Sequence, residues 1–197
     1  PFMSFSKNTH VLDKFGLKNK EYFALQIGAR SGLPTPKRWG IENFKKLIIL
    51  LKKKYPKNKI ITIGNQKDYD QFIKEIDKDG EYGIINTAGK TSLQDAATLL
   101  HYSKISVVHD SGSMHIGSAV NATMICLYGP TDFTRTRSLN KKSTMLYSKN
   151  NCYAVMYNSE FGEDEVVARF GEEYCMSSIT IDMVFKQFDK IISRKEW

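Results

Sequence analysis

The sequence predicts an α/β fold, a parallel sheet with helices on both faces, and three observations carry that expectation. Short β-branched apolar runs alternate with stretches of helical period over most of the chain. The connections between successive runs are long enough to hold a crossover helix each, as parallel pairing requires. At 197 residues the chain is long enough to bury one sizeable core.

Residues 22–27 read as the first strand, followed by a loop over 28–40. A helix over 41–54 comes next, with Ile41, Phe44, Leu47, Ile48 and Leu51 on its apolar stripe, and Tyr55-Pro56 ends it. Residues 59–63 form the second strand, 67–77 a helix and 83–85 a short strand. A helix over 92–102 opens with Ser92 and Asp95 placed as a capping box. The run from Ile105 stops at His109-Asp110-Ser111-Gly112, and a helix over 114–120, a strand over 123–127 and a Gly129-Pro130-Thr131 turn follow. Residues 133–157 suggest turns and a further strand, 158–173 an acidic loop region. Residues 178–193 form a closing helix with Ile181, Val184, Phe185, Phe188 and Ile192 on one face.

Composition excludes disorder, and no apolar run approaches the roughly 18 residues that cross a bilayer, which suggests a cytoplasmic protein. Of the three cysteines, Cys126 falls in an apolar strand. Cys152 and Cys175 lack metal-ligand spacing and are expected as free thiols. The net charge of +8 favours an anionic partner. Part of it is a cluster, Lys45, Lys46, Lys52, Lys53, Lys54, Lys57 and Lys59, which forms a solvated face or meets an anionic membrane surface.

In an open parallel sheet, ligands gather where carboxyl ends of strands meet helix N-termini. Four loops should share that edge. Residues 28–40 bring Arg30, Ser31, Thr35, Lys37 and Arg38, donors suited to phosphate oxygens, and Asp68 and Asp70 bring acceptors suited to sugar hydroxyls. Residues 109–115 supply the strand–turn–helix, where Ser111 or Ser113 can simply cap the helix. Residues 129–137 add Thr131, Thr134, Arg135 and Arg137. Donors for phosphate beside acceptors for sugar describe a nucleoside diphosphate sugar.

Four blocks, Gly28 to Trp39 with Lys37-Arg38-Trp39, Asn86 to Leu93, His109-Asp110-Ser111-Gly112-Ser113-Met114-His115, and Leu127-Tyr128-Gly129-Pro130-Thr131, resemble those of the heptosyltransferases, glycosyltransferase family 9. The resemblance spans about residues 22–132 and concerns the family's second half. It implies the C-terminal, Rossmann-like half of a GT-B glycosyltransferase, with residues 1–20 a linker or interdomain remnant and 21–197 the donor-binding domain. It further implies ADP-heptose as donor, the lipopolysaccharide inner core as acceptor through a domain not present here, and location at the inner face of the inner membrane. Donor phosphates would meet Lys37, Ser31, Thr35, Ser111, Gly112 and His115, the sugar would meet Asp110, and the ribose Asp68 or Asp70. No cofactor and no metal are implied. The general base is expected in the absent half, so this chain should bind donor without turnover. The chain departs from the family pattern at Gly40 and Ser113, where proline is common, and in the longer 28–37 loop.

Three other readings are weaker. Gly83 to Thr91 approximates a P-loop, but five residues separate its glycines where four are needed. A basic module for nucleic acid or membrane would leave the loop blocks without a role, and no RNA-binding signature is present, so no nucleic-acid partner is expected. A metal site of His109, Asp110 and His115 would place two histidines astride a turn, an unusual ligand arrangement.

Overall fold

A computed structural model describes residues 9–29, 35–78, 80–152, 154–158, 162–195 and 197. The elements run α1 (His10–Lys14), β1 (Tyr22–Gln26), α2 (Ile41–Lys54), β2 (Lys59–Ile63) and α3 (Gln66–Asp68). A π-helical turn, Tyr69–Ile73, joins α3 to α4 (Lys74–Ile76). Then come β3 (Ile85–Asn86), α5 (Leu93–Tyr102), β4 (Ile105–His109), α6 (Gly112–Ala119), β5 (Met124–Tyr128), α7 (Phe133–Thr136) and β6 (Ser143–Tyr147). Helices α8 (Val155–Asn158), α9 (Glu163–Phe170) and α10 (Ile181–Arg194) complete the chain, with a 3-10 turn, Tyr174–Met176, before the last.

Among the described residues six strands form one sheet in the order β3-β2-β1-β4-β5-β6, and each of these pairings is parallel. Chain direction across the sheet reverses between β1 and β4. A crevice opens at such a point because the crossovers leave toward opposite faces. Strand β1 shows why both faces must be covered. Tyr22 and Ala24 belong to a core shared with Leu99, Leu100 and Met114, whereas Phe23 and Leu25 belong to one shared with Leu47, Leu51 and Phe188. With alternate side chains buried on opposite sides, a strand reads as a continuous apolar run.

Helices α2 and α10 lie on the second of these faces. Phe44, Leu47, Ile48 and Leu51 of α2 are fully buried, as the period predicts. Val184, Phe188 and Ile191 of α10 are buried beside them, with the Phe188 ring edge-on to Phe23 at 5.1 Å. The apolar face of the closing helix is thus packed within this domain, with Ile181, Phe185 and Ile192 against the same core. On the other face α1 packs against α5, burying Val11 and Leu12. Leu17, in the segment after α1, is buried in the same core.

Other boundaries moved for local reasons. Strand β3 is two residues at 85–86 instead of three at 83–85, because Gly83 has φ +54°, incompatible with a strand. Helix α6 begins at Gly112, two residues earlier than its apolar pattern. The acidic stretch 158–173 contains a helix, α9, whose first turn carries Glu163, Asp164 and Glu165 where the helix dipole favours negative charge. The two cysteines expected as free thiols, Cys152 and Cys175, are joined as a disulfide, with Cα atoms 5.1 Å apart, while Cys126 is a buried free thiol. Sequence spacing could not reveal that pairing, since 23 residues separate the partners.

The Ser92–Asp95 capping box is formed in full, and the Ser92 Oγ accepts the Asp95 N–H at 3.1 Å. Ser92→Ala is expected to lower stability by about 1 kcal/mol. A shift of the urea midpoint with an unchanged slope would show it; an unmoved midpoint would mean that the cap does not hold α5.

Candidate functional site

A cavity of about 440 Å³ opens at the carboxyl ends of β1, β2 and β4. Its floor is Gln26, the last residue of β1, and its sides come from Asn65 and Asp68 on one hand and Ser111, Gly112 and Ser113 on the other. The rim is less polar. Leu93, 73% exposed, stands over it with Ala96 and Ile116 nearby in the lining.

Gln26 organises the floor. Its Oε1 accepts the His109 backbone N–H at 3.1 Å and the Ser111 hydroxyl at 2.9 Å, tying β1 to the loop after β4 across the point where the sheet reverses. This has a consequence for α6. Ser111 is the residue before the helix, yet its side chain makes no capping bond, because the hydroxyl is turned to Gln26. The helix's first backbone bonds run from the Met114 and His115 N–H groups to the Ser111 carbonyl. The amides of Gly112 and Ser113 therefore stay uncovered by that side chain while lining the cavity, and uncovered first-turn amides form an anion site.

The other residues expected to face a donor sort into groups. Asp110 is 7% exposed and accepts the Thr136 hydroxyl at 3.1 Å, which brings α7 to the end of β4. Asp68 lines the cavity, but its carboxylate accepts the Asn65 N–H at 2.9 Å in a capping box and is pressed against the backbone of the first loop. A Cβ at Gly28 would overlap that carboxylate, so only glycine fits there. Asp70 is exposed on the outer side of the π turn, 2.9 Å from the Gln66 amide, and is not part of the lining. His115 is exposed on α6 and does not line the cavity either. Arg30 and Ser31 lie outside the described residues.

Lys37 and Thr35 meet neither the cavity nor His115 but a residue the sequence did not single out. The Lys37 ammonium lies 3.1 Å from one oxygen of Glu163, and the Thr35 hydroxyl donates to the other at 2.8 Å. The next residue, Arg38, is paired with Glu172 at 2.7 Å. Thus α9 and the turn after it hold the first loop through two carboxylates. Gln26 and Glu163 were both missed. Gln26 offered one signal, an amide closing an apolar strand, and Glu163 offered none beyond its acidic neighbourhood.

Beneath the site, His109 is fully buried at the end of β4. Its Nε2 accepts the Trp39 backbone N–H at 3.1 Å, and its ring meets Phe44 edge-on at 5.7 Å. Burial, reinforced by the nearby Arg38 charge and opposed by the Gly28 carbonyl, pushes its pKa down to about 4. The imidazole is neutral, with its proton on Nδ1, and it fixes the far end of the first loop. Among the described residues no cluster of three metal-ligating side chains occurs.

A family model described as glycosyltransferase family 9 (heptosyltransferase) matches residues 3–161. The lipooligosaccharide heptosyltransferase 2 of Haemophilus ducreyi is 28% identical over 182 residues, 89% of this chain and 49% of that protein. Among solved structures, ADP-heptose lipopolysaccharide heptosyltransferase II of E. coli superposes with a TM-score of 0.75 at 22% identity, over 100% of this chain and 55% of that one. The E. coli heptosyltransferase WaaC with ADP superposes with a TM-score of 0.67 at 19% identity, over 92% and 48% of the respective chains. The chain spans about half the length of these relatives.

Proposed function

The chain belongs to glycosyltransferase family 9, the heptosyltransferases, and on that premise we propose that its cavity holds the nucleoside diphosphate sugar of a heptosyl transfer. The donor is ADP-heptose and the acceptor the lipopolysaccharide inner core. The site works on the cytoplasmic side of the inner membrane. The observation that carries the reading is the N-terminus of α6, left without a side-chain cap by Ser111, whose first residues Gly112 and Ser113 line a cavity at the point where the sheet reverses. Names of related structures support the choice of nucleotide: one E. coli relative is described with ADP, another structure with ADP-2-deoxy-2-fluoro heptose.

The chemistry follows from charge. Cleavage of the bond between sugar and diphosphate leaves new negative charge on the leaving phosphate, and fixed amide dipoles aimed there stabilise the transition state more than the ground state. Ser111 and Gly112 hold the diphosphate, with His115 at its margin, and Lys37 and Thr35, which lie outside the cavity lining on Glu163, join its shell only once they are released from that carboxylate. A carboxylate on a diphosphate would repel it, so Asp110 takes sugar hydroxyls. Asp68, at the cavity wall, stands toward the ribose, a role for which Asp70 is less well placed. The apolar rim of Leu93, Ala96 and Ile116 suits the face of a base. None of these roles is that of a general base, and these residues bind donor without turning it over.

Calorimetry with ADP, ADP-heptose and UDP-sugars tests this. Heat is expected with ADP and ADP-heptose and not with the uridine compounds. A preference for uridine would overturn the donor assignment, and no heat from any of them would overturn the site.

A further inference from the structure

The acidic stretch after the sheet, given no role by its sequence, meets the first loop at its two expected phosphate ligands. One Glu163 oxygen takes the Lys37 ammonium and the other takes the Thr35 hydroxyl. Two oxygens on one anionic centre, each accepting from a different donor, is the pattern that two phosphate oxygens would present. Thr35 makes the point sharper. Its side chain is fully buried, its hydroxyl accepts the Lys37 backbone N–H at 3.4 Å, and its single proton is given to Glu163. That hydroxyl has nothing left to donate to a phosphate until Glu163 withdraws.

We infer that Glu163 is a built-in competitor for the donor's diphosphate, a carboxylate latch that nucleotide must displace to engage Thr35 and Lys37. This rests on the reading of the first loop as phosphate-binding. The neighbouring Arg38–Glu172 pair differs in kind. The Arg38 side chain is only 9% exposed, so its ion pair with Glu172 is costly to give up, and that pair is an anchor. Lys37, at 21%, lies nearer to solvent than Arg38 and can change partners at smaller cost, although Glu163, at 15%, is less exposed than Glu172, at 42%.

The element that carries the latch is separable from the main cores. Helix α9 packs through Val166 onto a small cluster with Cys152 and Cys175, with Val155, Met156 and Phe170 around it. It can shift without opening either face of the sheet, as elements with few core contacts do. The helix is flanked by Gly162 and by Gly171 at φ +80°, positions that tolerate a change of backbone angle.

The test is ADP, inorganic pyrophosphate and adenosine titrated against this chain and three variants. Glu163→Gln keeps size and an acceptor for Thr35 but removes the charge. It is expected to bind ADP and pyrophosphate about fivefold tighter, the scale of a part-buried charge-assisted contact, with adenosine unaffected. Glu163→Asp, which keeps the first-turn charge of α9 but shortens its reach, should move the same way by less. Glu165→Gln, two residues on and exposed, should change nothing. If wild type binds ADP and Glu163→Gln binds it equally or more weakly, the latch is wrong and Glu163 merely positions the loop. If neither wild type nor any variant binds ADP or pyrophosphate, the phosphate reading of the loop fails, and the latch with it.

Discussion

Gly112→Asp is expected to stabilise the protein while weakening ADP binding about a hundredfold, a pair of opposite signs that a merely damaged fold could not give. An ideal Cβ at Gly112 meets no atom within 4 Å, and the residue is exposed, so the new side chain has room. At the first position of α6 a carboxylate lies on the favourable end of the helix dipole, worth about 0.3–1 kcal/mol. Replacing glycine in a helix adds a few tenths more. The same carboxylate would stand where the diphosphate is proposed to sit. Like charges about 5 Å apart near a protein surface repel by roughly 3 kcal/mol before salt screening, which is about two orders of magnitude in affinity. Gly112→Asn supplies the shape without the charge and should lose no more than a few-fold. The pair is measured by thermal melting and calorimetry on the same samples. Unchanged ADP affinity in Gly112→Asp would place the phosphates elsewhere than at α6.

Much of this was legible in the sequence, and the parts that were not share a cause. Helix α2 and strand β2 fell where their patterns put them, because a 3.6-residue apolar stripe and a short β-branched run each have one way of being buried in a doubly covered sheet. The turn after β4 was recognisable because a strand, a small-residue turn and a helix in succession must meet at the sheet's carboxyl edge. Partnerships between distant side chains were not recoverable. The Glu163 contacts with Thr35 and Lys37 span well over a hundred residues, and the approach of Cys152 to Cys175 depends on how α9 folds between them. No local propensity encodes such encounters. The start of α6 was misjudged for a related reason. Its first two residues, Gly112 and Ser113, are poor helix formers, and they are helical because the turn before them is tied down by Gln26 from another strand.

The second large effect is a loss of stability in mild acid, and it follows from His109. In the unfolded chain this imidazole takes a proton near its ordinary pKa of 6.5, whereas in the fold its pKa is pushed down to about 4, chiefly by burial. Below 6.5 the unfolded state binds more protons than the folded state, so stability falls as pH falls, and the fall ends near the folded value. The loss is about 2 kcal/mol between pH 7 and pH 5 and approaches about 3 kcal/mol at pH 4, since each unit of displaced pKa is worth about 1.4 kcal/mol. The upper part of that window precedes most carboxylate titration, which isolates the histidine. The cost has a structural face. Protonated on both nitrogens, the ring cannot accept the Trp39 N–H, and it would place a second cation near Arg38 in the interior. Acid should therefore loosen the 35–39 segment before it melts the sheet, and donor binding should fail with it. Urea unfolding at pH 7, 6 and 5 on wild type and His109→Gln measures the effect. The variant, whatever its absolute stability, should lose most of the slope between pH 7 and pH 5, and equal slopes in the two proteins would show that the buried imidazole is not the group that titrates.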